Sequence, residues 1–344
     1  MESTTSKKVS VIVLNLNGRQ LLERFLPSVR GLEYDNCETI IMDDASTDES
    51  VKFVRKNYPE FRVVENGENQ GTAEGSNVGV RNANGDYIIW LGNDMEIDSQ
   101  LIKEMVKTAE SDSSIGIVGC KVLKLDKNNE KTDIIDTVGA DLDIYGFIYP
   151  RGHNEIDRQQ WNFETDVFFA FGCSLLIKRE VFDKIGGYDP KYFTLADDTD
   201  LCWRAKLAGY RVVVNPTAII YHKLSATLGT AFRRSRLRYF AERNTLRTLL
   251  KNYSTWTLVK VLPRYFALLT AEVLFFLVTR RFRLALADIK AVWWNIRNIR
   301  DTWSLHRQIQ QSRVIADSEL QKGMIGISLK VGLFKRWMKG EHVI

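Results

Sequence analysis

A chain of 344 residues, 44% hydrophobic and 26% charged, has the composition of an ordinary globular protein and is long enough to bury a full core, as one large domain with an extension or as two domains. Its four cysteines (Cys37, Cys120, Cys173, Cys202) lie far apart with no CxxC pair, so neither a zinc cluster nor a disulfide framework is expected, and a reducing compartment fits. The net charge of +5 hides an asymmetry: residues 1–232 hold 26 Lys and Arg against 36 Asp and Glu, a net −10, whereas residues 233–313 hold 17 against 4, a net +13. An acidic unit joined to a segment suited to an anionic surface is the expectation.

The opening MESTTSKKVS is polar, which predicts no signal peptide. VSVIVL is a β-branched strand ending in the turn residues NLNG, and RQLLERFLPSVRGL follows with the helical spacing of Leu21, Leu22, Phe25, Leu26 and Val29. ETIIMDD, FRVVEN and DYIIWLGND read as further strands, with helices over STDESVKFVRKNY and from the glycine-spaced NQGTAEGSNVGVRNA between them. Alternation of this kind predicts a mostly parallel α/β sheet flanked by helices. A helix near 99–111 and the strand IGIVGCKVL come next, and the polar, aromatic stretch from Asp126 to Asn162 reads as a loop region laid over the sheet. FFAFGCSLLIKREVFDKIGGYD returns to strand and helix, LADDTDLCWRAKLAGY is a helix preceded by acids, and RVVVNPTAIIYH closes the sheet.

In open parallel sheets ligands sit at the carboxyl ends of the strands. Those ends carry Leu14, Asn15 and Asn17, then Asp43 and Asp44, then Asn93 and Asp94. Turn preference explains any one of these groups; their recurrence points to a site. GTAEGSNVG is neither a Walker A loop nor GxGxxG, which argues against a dinucleotide site. A nucleotidyltransferase would place its glycine-rich loop after the first strand, where NLNGRQ lacks it. Three acids, Asp197, Asp198 and Asp200, precede a helix, and opposition to the helix dipole uses one or two of them, leaving a third for chemistry.

Six segments in order, VSVIVLNLNG, IIMDDASTDES, NQGTAEGSNVG, YIIWLGNDMEI, FGCSLLIKREVFDKIGGYD and DDTDLCWRAKLAGY, resemble the inverting glycosyltransferases of family 2, membrane-associated enzymes similar to the rhamnosyltransferases of polysaccharide assembly. The resemblance spans roughly Val9 to His222, with a weaker continuation in RNTLRTLLKNY. It implies the GT-A fold and transfer of a sugar from a UDP-, dTDP- or GDP-linked donor to an acceptor hydroxyl, such as that of a lipid-linked glycan. It places Asp43 against the pyrimidine base, Leu14 and Asn15 at the lip of the nucleotide pocket, Asn77 near the donor, and Asn93 and Asp94 in the DxD position. Asp94 and His222 would bind Mg²⁺ or Mn²⁺ beside the donor diphosphate. Glycine at position 92 departs from that pattern, since the first acid of the triplet is missing. Asp198 would be the general base, Asp197 would help hold the acceptor, and Asp200 would cap the helix.

The sequence therefore divides into a GT-A catalytic domain, 1–232, and a basic amphipathic helical region, 233–344. From Leu258 to Val278 the charges Lys260, Arg264 and Glu272 fall in one sector of a helix about 120° wide, with Leu262, Leu269 and Phe276 on the other side and Val261 near the sector's edge. With Phe275, Trp293, Trp294, Trp303 and the tail SLKVGLFKRWMKG, this predicts a helical extension lying on the cytoplasmic face of a membrane rather than a span. The competing expectations for the region are a packing element or a homodimer interface. No DNA- or RNA-binding motif accompanies the charge. A non-catalytic nucleotide-sugar-binding scaffold is the alternative to an enzyme.

Overall fold

The computed structural model describes residues 6–172, 174–223 and 234–332; Cys173 and the aromatic, basic tail beyond Gly332 lie outside them. Twelve strands and eleven α-helices are found among the described residues. The strands are β1 (Val9–Asn15), β2 (Cys37–Asp43), β3 (Arg62–Glu65), β4 (Tyr87–Gly92), β5 (Met95–Ile97), β6 (Ile115–Leu125), β7 (Lys131–Thr137), β8 (Ala140–Leu142), β9 (Ile148–Pro150), β10 (Thr165–Asp166), β11 (Ser174–Lys178) and β12 (Arg211–His222). Ten form one sheet in the order β10-β12-β6-β11-β4-β1-β2-β3, with β5 added to β12 and β7 to β6. β1 pairs in parallel with β2 and β4, and β2 with β3, while β11 runs antiparallel between β4 and β6.

The central strands are apolar on both faces because both faces are covered, as crossover connections require. Val9, Val11 and Val13 of β1, with Ile89 and Leu91 of β4, join a core under α1 (Arg19–Arg30), α2 (Ser50–Asn57) and α4 (Leu101–Ser111). Ile12, Ile88 and Trp90 face a second core built with α3 (Gly71–Arg81), α5 (Arg179–Ile185) and α6 (Asp197–Leu207). The alternation is the two-residue period of the strand applied to a sheet with two insides.

The stretch 126–162 is not the loop expected. β7 pairs antiparallel with the far half of β6, and β8 and β9 form a small hairpin. Register shifts along β6 and β7 break the alternation by which a sequence announces a strand.

The division at residue 232 does not divide the core. Leu246, Leu249 and Leu250 of α7 (Arg234–Asn252) and Leu258, Val261, Tyr265 and Leu269 of α8 (Thr255–Val278) belong to the same cluster as Ile12 and Trp203. Every residue of α7 from Glu242 to Asn252 is buried, polar ones included. The face of α8 that the sequence offered to lipid, with Val261, Leu269 and Phe276, is therefore turned inward against the protein. Its outer face carries Trp256, Val259, Phe266, Leu274, Leu277 and Val278 together with exposed Lys260 and Arg264. Helices α9 (Phe282–Arg297), α10 (Ile299–Ser312) and α11 (Asp317–Leu320) complete the region.

Candidate active site

The carboxyl ends of β1, β2 and β4 lie side by side, because Leu14 is in register with both Met42 and Gly92. Their polar residues form one chain of hydrogen bonds. The Asn93 amide donates to Asn15 Oδ1 at 2.8 Å, and Asn15 Nδ2 donates to Asp43 Oδ2 at 2.8 Å. Asp43 Oδ1 accepts from the Ser46 N–H at 2.8 Å. Each carboxylate oxygen of Asp43 keeps a second lone pair for a ligand donor. Leu14, half-buried, lies below Gly75 of α3. Asp44 is spent on structure: it accepts from the N–H groups of Gln70 and Gly71 and fixes the start of α3.

Asp94 follows β4 in the turn to β5, and β5 pairs with β12 so that Met95 faces His222. This pairing brings His222 Nε2 to 3.7 Å from Asp94 Oδ2. The other ring nitrogen lies 3.2 Å from Asp136 Oδ2, on β7. Burial opposes the imidazolium, but the bonds and charges of Asp136 and Asp94 prevail and lift His222 to about 9. Asp94 and His222 would suit a divalent cation once the imidazolium gives up its proton: the two side chains converge, and the Asp136 carboxylate holds the remote ring nitrogen. No cluster of three or more His, Cys, Asp or Glu ligands occurs among the described residues, so the rest of a coordination shell must come from diphosphate or water. Gly92 has a physical reason as well. A Cβ there would lie 2.7 Å from Asp94 Oδ1, so an acid at that position would displace the one that remains.

Asp197 and Asp198 open α6 and are both partly exposed. Gly172 donates its N–H to Asp198 Oδ2 at 2.9 Å, and Thr199 its N–H to Oδ1 at 2.7 Å. A Cβ on Gly172 would stand 3.0 Å from that of Asp198, which keeps the approach open only to glycine. Since Ser174 is in register with Leu91, Gly172 and the acid it holds sit at the strand-end edge that carries Asn93 and Asp94. Thr72 on α3 donates to Asp197 Oδ2 at 2.9 Å. Burial raises the pKa of both acids; the negative charge of Asp198 raises Asp197 further, while the N–H bonds of Gly172 and Thr199 partly offset the rise in Asp198.

Asp200 is not the cap the sequence suggested. Its fully buried carboxylate accepts from Arg204 Nε at 2.9 Å, Lys251 Nζ at 2.9 Å and Asn252 Nδ2 at 3.1 Å, and so joins α6 to α7. Asn77 is likewise committed inside the protein. Its amide donates to the Tyr188 carbonyl and accepts from the Tyr188 N–H, both at 2.9 Å, tying α3 to the turn after α5. Thr72, Asp136 and Gly172 escaped the sequence reading: a lone threonine and glycine carry no pattern, and Asp136 stood in the stretch taken for a loop.

The family model "Glycosyl transferase family 2" matches residues 10–186, the span holding these strand ends. The chain belongs to that family. It is 27% identical over 245 residues to the uncharacterized protein y4gI of Sinorhizobium fredii, covering 67% of this chain and 26% of y4gI. To the poly-beta-1,6-N-acetyl-D-glucosamine synthase of Staphylococcus aureus it is 25% identical over 223 residues, 64% of this chain and 51% of the synthase. The chain thus spans a quarter to a half of the length of these relatives. Among solved structures, S. aureus TarS 1–349 in complex with UDP-GlcNAc superposes with a TM-score of 0.58 over 98% of this chain and 93% of its own, at 14% identity. The mannosyltransferase PcManGT of Pyrobaculum calidifontis, in complex with GDP-Man and Mn2+, gives 0.53 over 85% and 88%, at 18% identity. These likenesses establish the GT-A fold for this family 2 member, helical C-terminal region included.

Proposed function

We propose that the protein transfers a sugar from a nucleotide-diphosphate donor to an acceptor hydroxyl with inversion, and that Asp198 is the general base. The observation that carries this reading is a partly exposed carboxylate that, among the described residues, has no cation on it and is oriented by two backbone N–H groups at the edge where the strands end. A raised pKa makes that carboxylate a better proton acceptor. The acceptor O–H gives its proton to Asp198 as its oxygen attacks the anomeric carbon, and the bond from that carbon to the diphosphate oxygen breaks. Inversion by direct displacement uses one base, unlike the paired carboxylates of glycoside hydrolysis. Asp43 and Asn15, with Asn93 behind them and Leu14 at the lip, are placed to receive the nucleotide. Asn77 is left out of the donor site because its amide is already engaged. Asp94 and His222 would hold Mg²⁺ or Mn²⁺, which supplies the positive charge that a diphosphate leaving group needs. GalNAc-T7 with UDP, GalNAc and Mn2+, a GT-A neighbour with a TM-score of 0.57, supports a metal-assisted donor site. The room that Gly92 leaves for Asp94 weighs against a non-catalytic scaffold.

Release of nucleotide diphosphate from UDP-, dTDP- and GDP-sugars, measured with and without Mn²⁺, tests the reading. Turnover of at least one donor is expected. Binding of every donor without turnover, in the presence of a mixed panel of glycan and lipid-linked acceptors, would favour the scaffold.

We further propose that the C-terminal helices rest on an anionic, cytosolic leaflet, which would bring Asp198 to a lipid-linked glycan. Helix α8, 24 residues with a mean hydropathy of 1.8 in its most apolar stretch, is long and apolar enough to cross a bilayer by composition. Its inward side, however, is packed on the protein along Leu258, Val261, Tyr265, Leu269 and Phe276, and Glu272 is bound to Arg238 at 2.7 Å and Lys330 at 2.6 Å. A helix fastened along its length lies on a membrane more readily than through it. The exposed Trp256, Val259, Phe266, Leu286, Ile289 and Trp293, bordered by Lys260, Arg264, Arg281 and Arg283, suit the boundary between headgroups and acyl chains. Sedimentation with anionic vesicles at low salt is expected, weakening at high salt and with neutral lipid, at about 1 kcal/mol for each cation near the surface. Absence of binding to anionic vesicles at low salt would leave the region as a packing or dimer element.

A further inference from the structure

We propose that Asn244, on α7, is a positioning residue for transfer: its amide clasps the strained loop that delivers Asp197 and Asp198, so the helical region outside the sheet sets where the base stands. The proposal rests on the reading of Asp198 as the base.

The loop from Phe193 to Ala196 has three non-glycine residues with left-handed backbone, Phe193 (φ 64°), Leu195 (φ 68°) and Ala196 (φ 60°). L-residues avoid this region, and a β-carbon at each makes such a run persist only where surrounding contacts overdetermine it. The contacts come from two sides. On one, the Ala73 N–H donates to the Phe193 carbonyl at 3.4 Å, and the Thr72 hydroxyl shares its one hydrogen between that carbonyl, at 3.1 Å, and Asp197 Oδ2, at 2.9 Å. On the other, Asn244 Nδ2 reaches the carbonyls of Tyr192 (3.0 Å), Thr194 (2.8 Å) and Leu195 (2.7 Å). Two amide hydrogens shared among three acceptors leave the loop no freedom to turn these carbonyls elsewhere. The amide can face only one way, since its oxygen accepts from Arg243 Nε at 2.8 Å and its nitrogen meets only acceptors. Arg243 adds a second grip on the Tyr192 carbonyl at 2.5 Å. Asn244 is fully buried, so no water substitutes for it.

Loop geometry becomes reactivity because Asp197 is the residue that follows Ala196. A small turn of the Leu195 or Ala196 backbone swings the start of α6 and carries Asp198 away from the Gly172 N–H. Misplacement of a catalytic group by about 1 Å costs up to about 100-fold in rate. Donor binding, which is proposed to use the strand ends of β1, β2 and β4, does not pass through this loop.

The test compares Asn244→Ala, Asn244→Ser and Asn244→Asp in the full chain with His306→Ala, a buried control whose Nδ1 binds the Leu250 carbonyl on the same helix. Asn244→Ala is expected to lower kcat by about 10- to 100-fold while the donor KM stays within about threefold, and to speed backbone amide exchange over residues 193–199. Asn244→Ser keeps one donor in the buried space and falls between it and the native residue, which preserves the test should the alanine variant not fold. Asn244→Asp, equal in shape but lacking the N–H pair, is expected to be at least as damaging as alanine. His306→Ala should lose stability without the local exchange or the kcat effect. Native kcat and native exchange in Asn244→Ala, or the same local changes in His306→Ala, overturns the proposal. Should Asp198→Asn keep its turnover while Asn244→Ala still loosens residues 193–199, the base assignment fails and the clasp alone stands.

Discussion

Four carboxylates lie within twelve residues of one another, Asp189, Asp197, Asp198 and Asp200, and the first and last are treated in the opposite way to the two between them. Beneath α6, Asp189 and Asp200 are buried among cations: Asp189 meets Arg247 and Lys251, each at 2.8 Å, and Asp200 meets Lys251 and Arg204. Burial alone would raise their pKa values, but the charges of Lys251 and Arg247, or of Arg204 and Lys251, outweigh it and hold both acids ionised. At the exposed start of the same helix, Asp197 and Asp198 receive only hydrogen bonds from N–H and O–H groups, and both are pushed up. One pair of charges is compensated and serves as an anchor; the other is left uncompensated and is available to take a proton. The difference is the signature expected of structural against functional acids.

The sharpest way to break this comparison is Asp198→Asn. Shape is kept, one of the two acceptors of the Gly172 and Thr199 N–H groups becomes a donor, and the base is lost, so a drop of about 10² to 10⁴ in transfer rate is expected with donor affinity nearly intact. Stability should differ in its pH dependence. A carboxylate with a raised pKa favours its protonated form in the fold, and its unfavourable contribution grows as pH rises through the ordinary carboxylate range toward the raised value. The native chain should lose that increment of stability across the window, and the amide variant, which has no proton to lose there, should not. Near-normal turnover at saturating acceptor would remove Asp198 from the mechanism.

The compensated end gives the next largest effect. Lys251→Met leaves Asp189 and Asp200 without their shared ammonium, and removal of one partner from a buried ion network costs about 3 to 5 kcal/mol. Thermal or urea unfolding should record the loss. Because both acids have depressed pKa values, the stability they confer is present above the ordinary carboxylate range and is lost only as pH falls through their lowered values. A neutral result in Lys251→Met would mean that Arg247, Arg204 and Asn252 suffice to compensate the two buried acids.

The same contrast separates what the sequence disclosed from what it concealed. The strands of the central sheet and the residues at their ends were legible because β-branched runs, turn residues and helical spacing are local signals. Asp43, Asp94, Asp198 and His222 stand where those signals placed them. Asp200 was assigned to a cap because a cap is the local use of an acid at a helix start; its real partners, Lys251 and Asn252, are about fifty residues away and become neighbours only through folding. Asn77 was drawn toward the donor by its place in a motif, yet its amide closes on the Tyr188 backbone, a contact no spacing announces. The helical region misled in another way. An amphipathic pattern tells which face of a helix is apolar, not whether protein or lipid covers it, and on α8 Val261, Leu269 and Phe276 went to the protein.

A third, smaller effect concerns the other edge of the site. Asp94→Ala should weaken donor and Mn²⁺ binding together, and His222→Ala should do so less. Asp136→Asn, which acts only through the imidazole, is expected to cost about 10- to 100-fold in metal affinity. Titration calorimetry with Mn²⁺ in the presence of nucleoside diphosphate reads all three. Donor affinity indifferent to chelator and to every one of these changes would place the charge partner of the diphosphate on an arginine or lysine instead.

The smallest effect tests the coupling within the uncompensated pair. The negative charge of Asp198 lies among the causes that raise Asp197, and that interaction is mutual, so each carboxylate makes the other harder to ionise. Asp197→Asn removes the charge while keeping an acceptor for the Thr72 hydroxyl. Asp198 then ionises at lower pH. If Asp198 is the base, the acid limb of the kcat profile, where activity rises with pH as the base loses its proton, should move toward lower pH, with a modest loss at the optimum. A limb that stays in place would show that burial alone sets the pKa of Asp198. A limb that disappears would mean that Asp197, rather than its neighbour, is the group whose proton the profile reports.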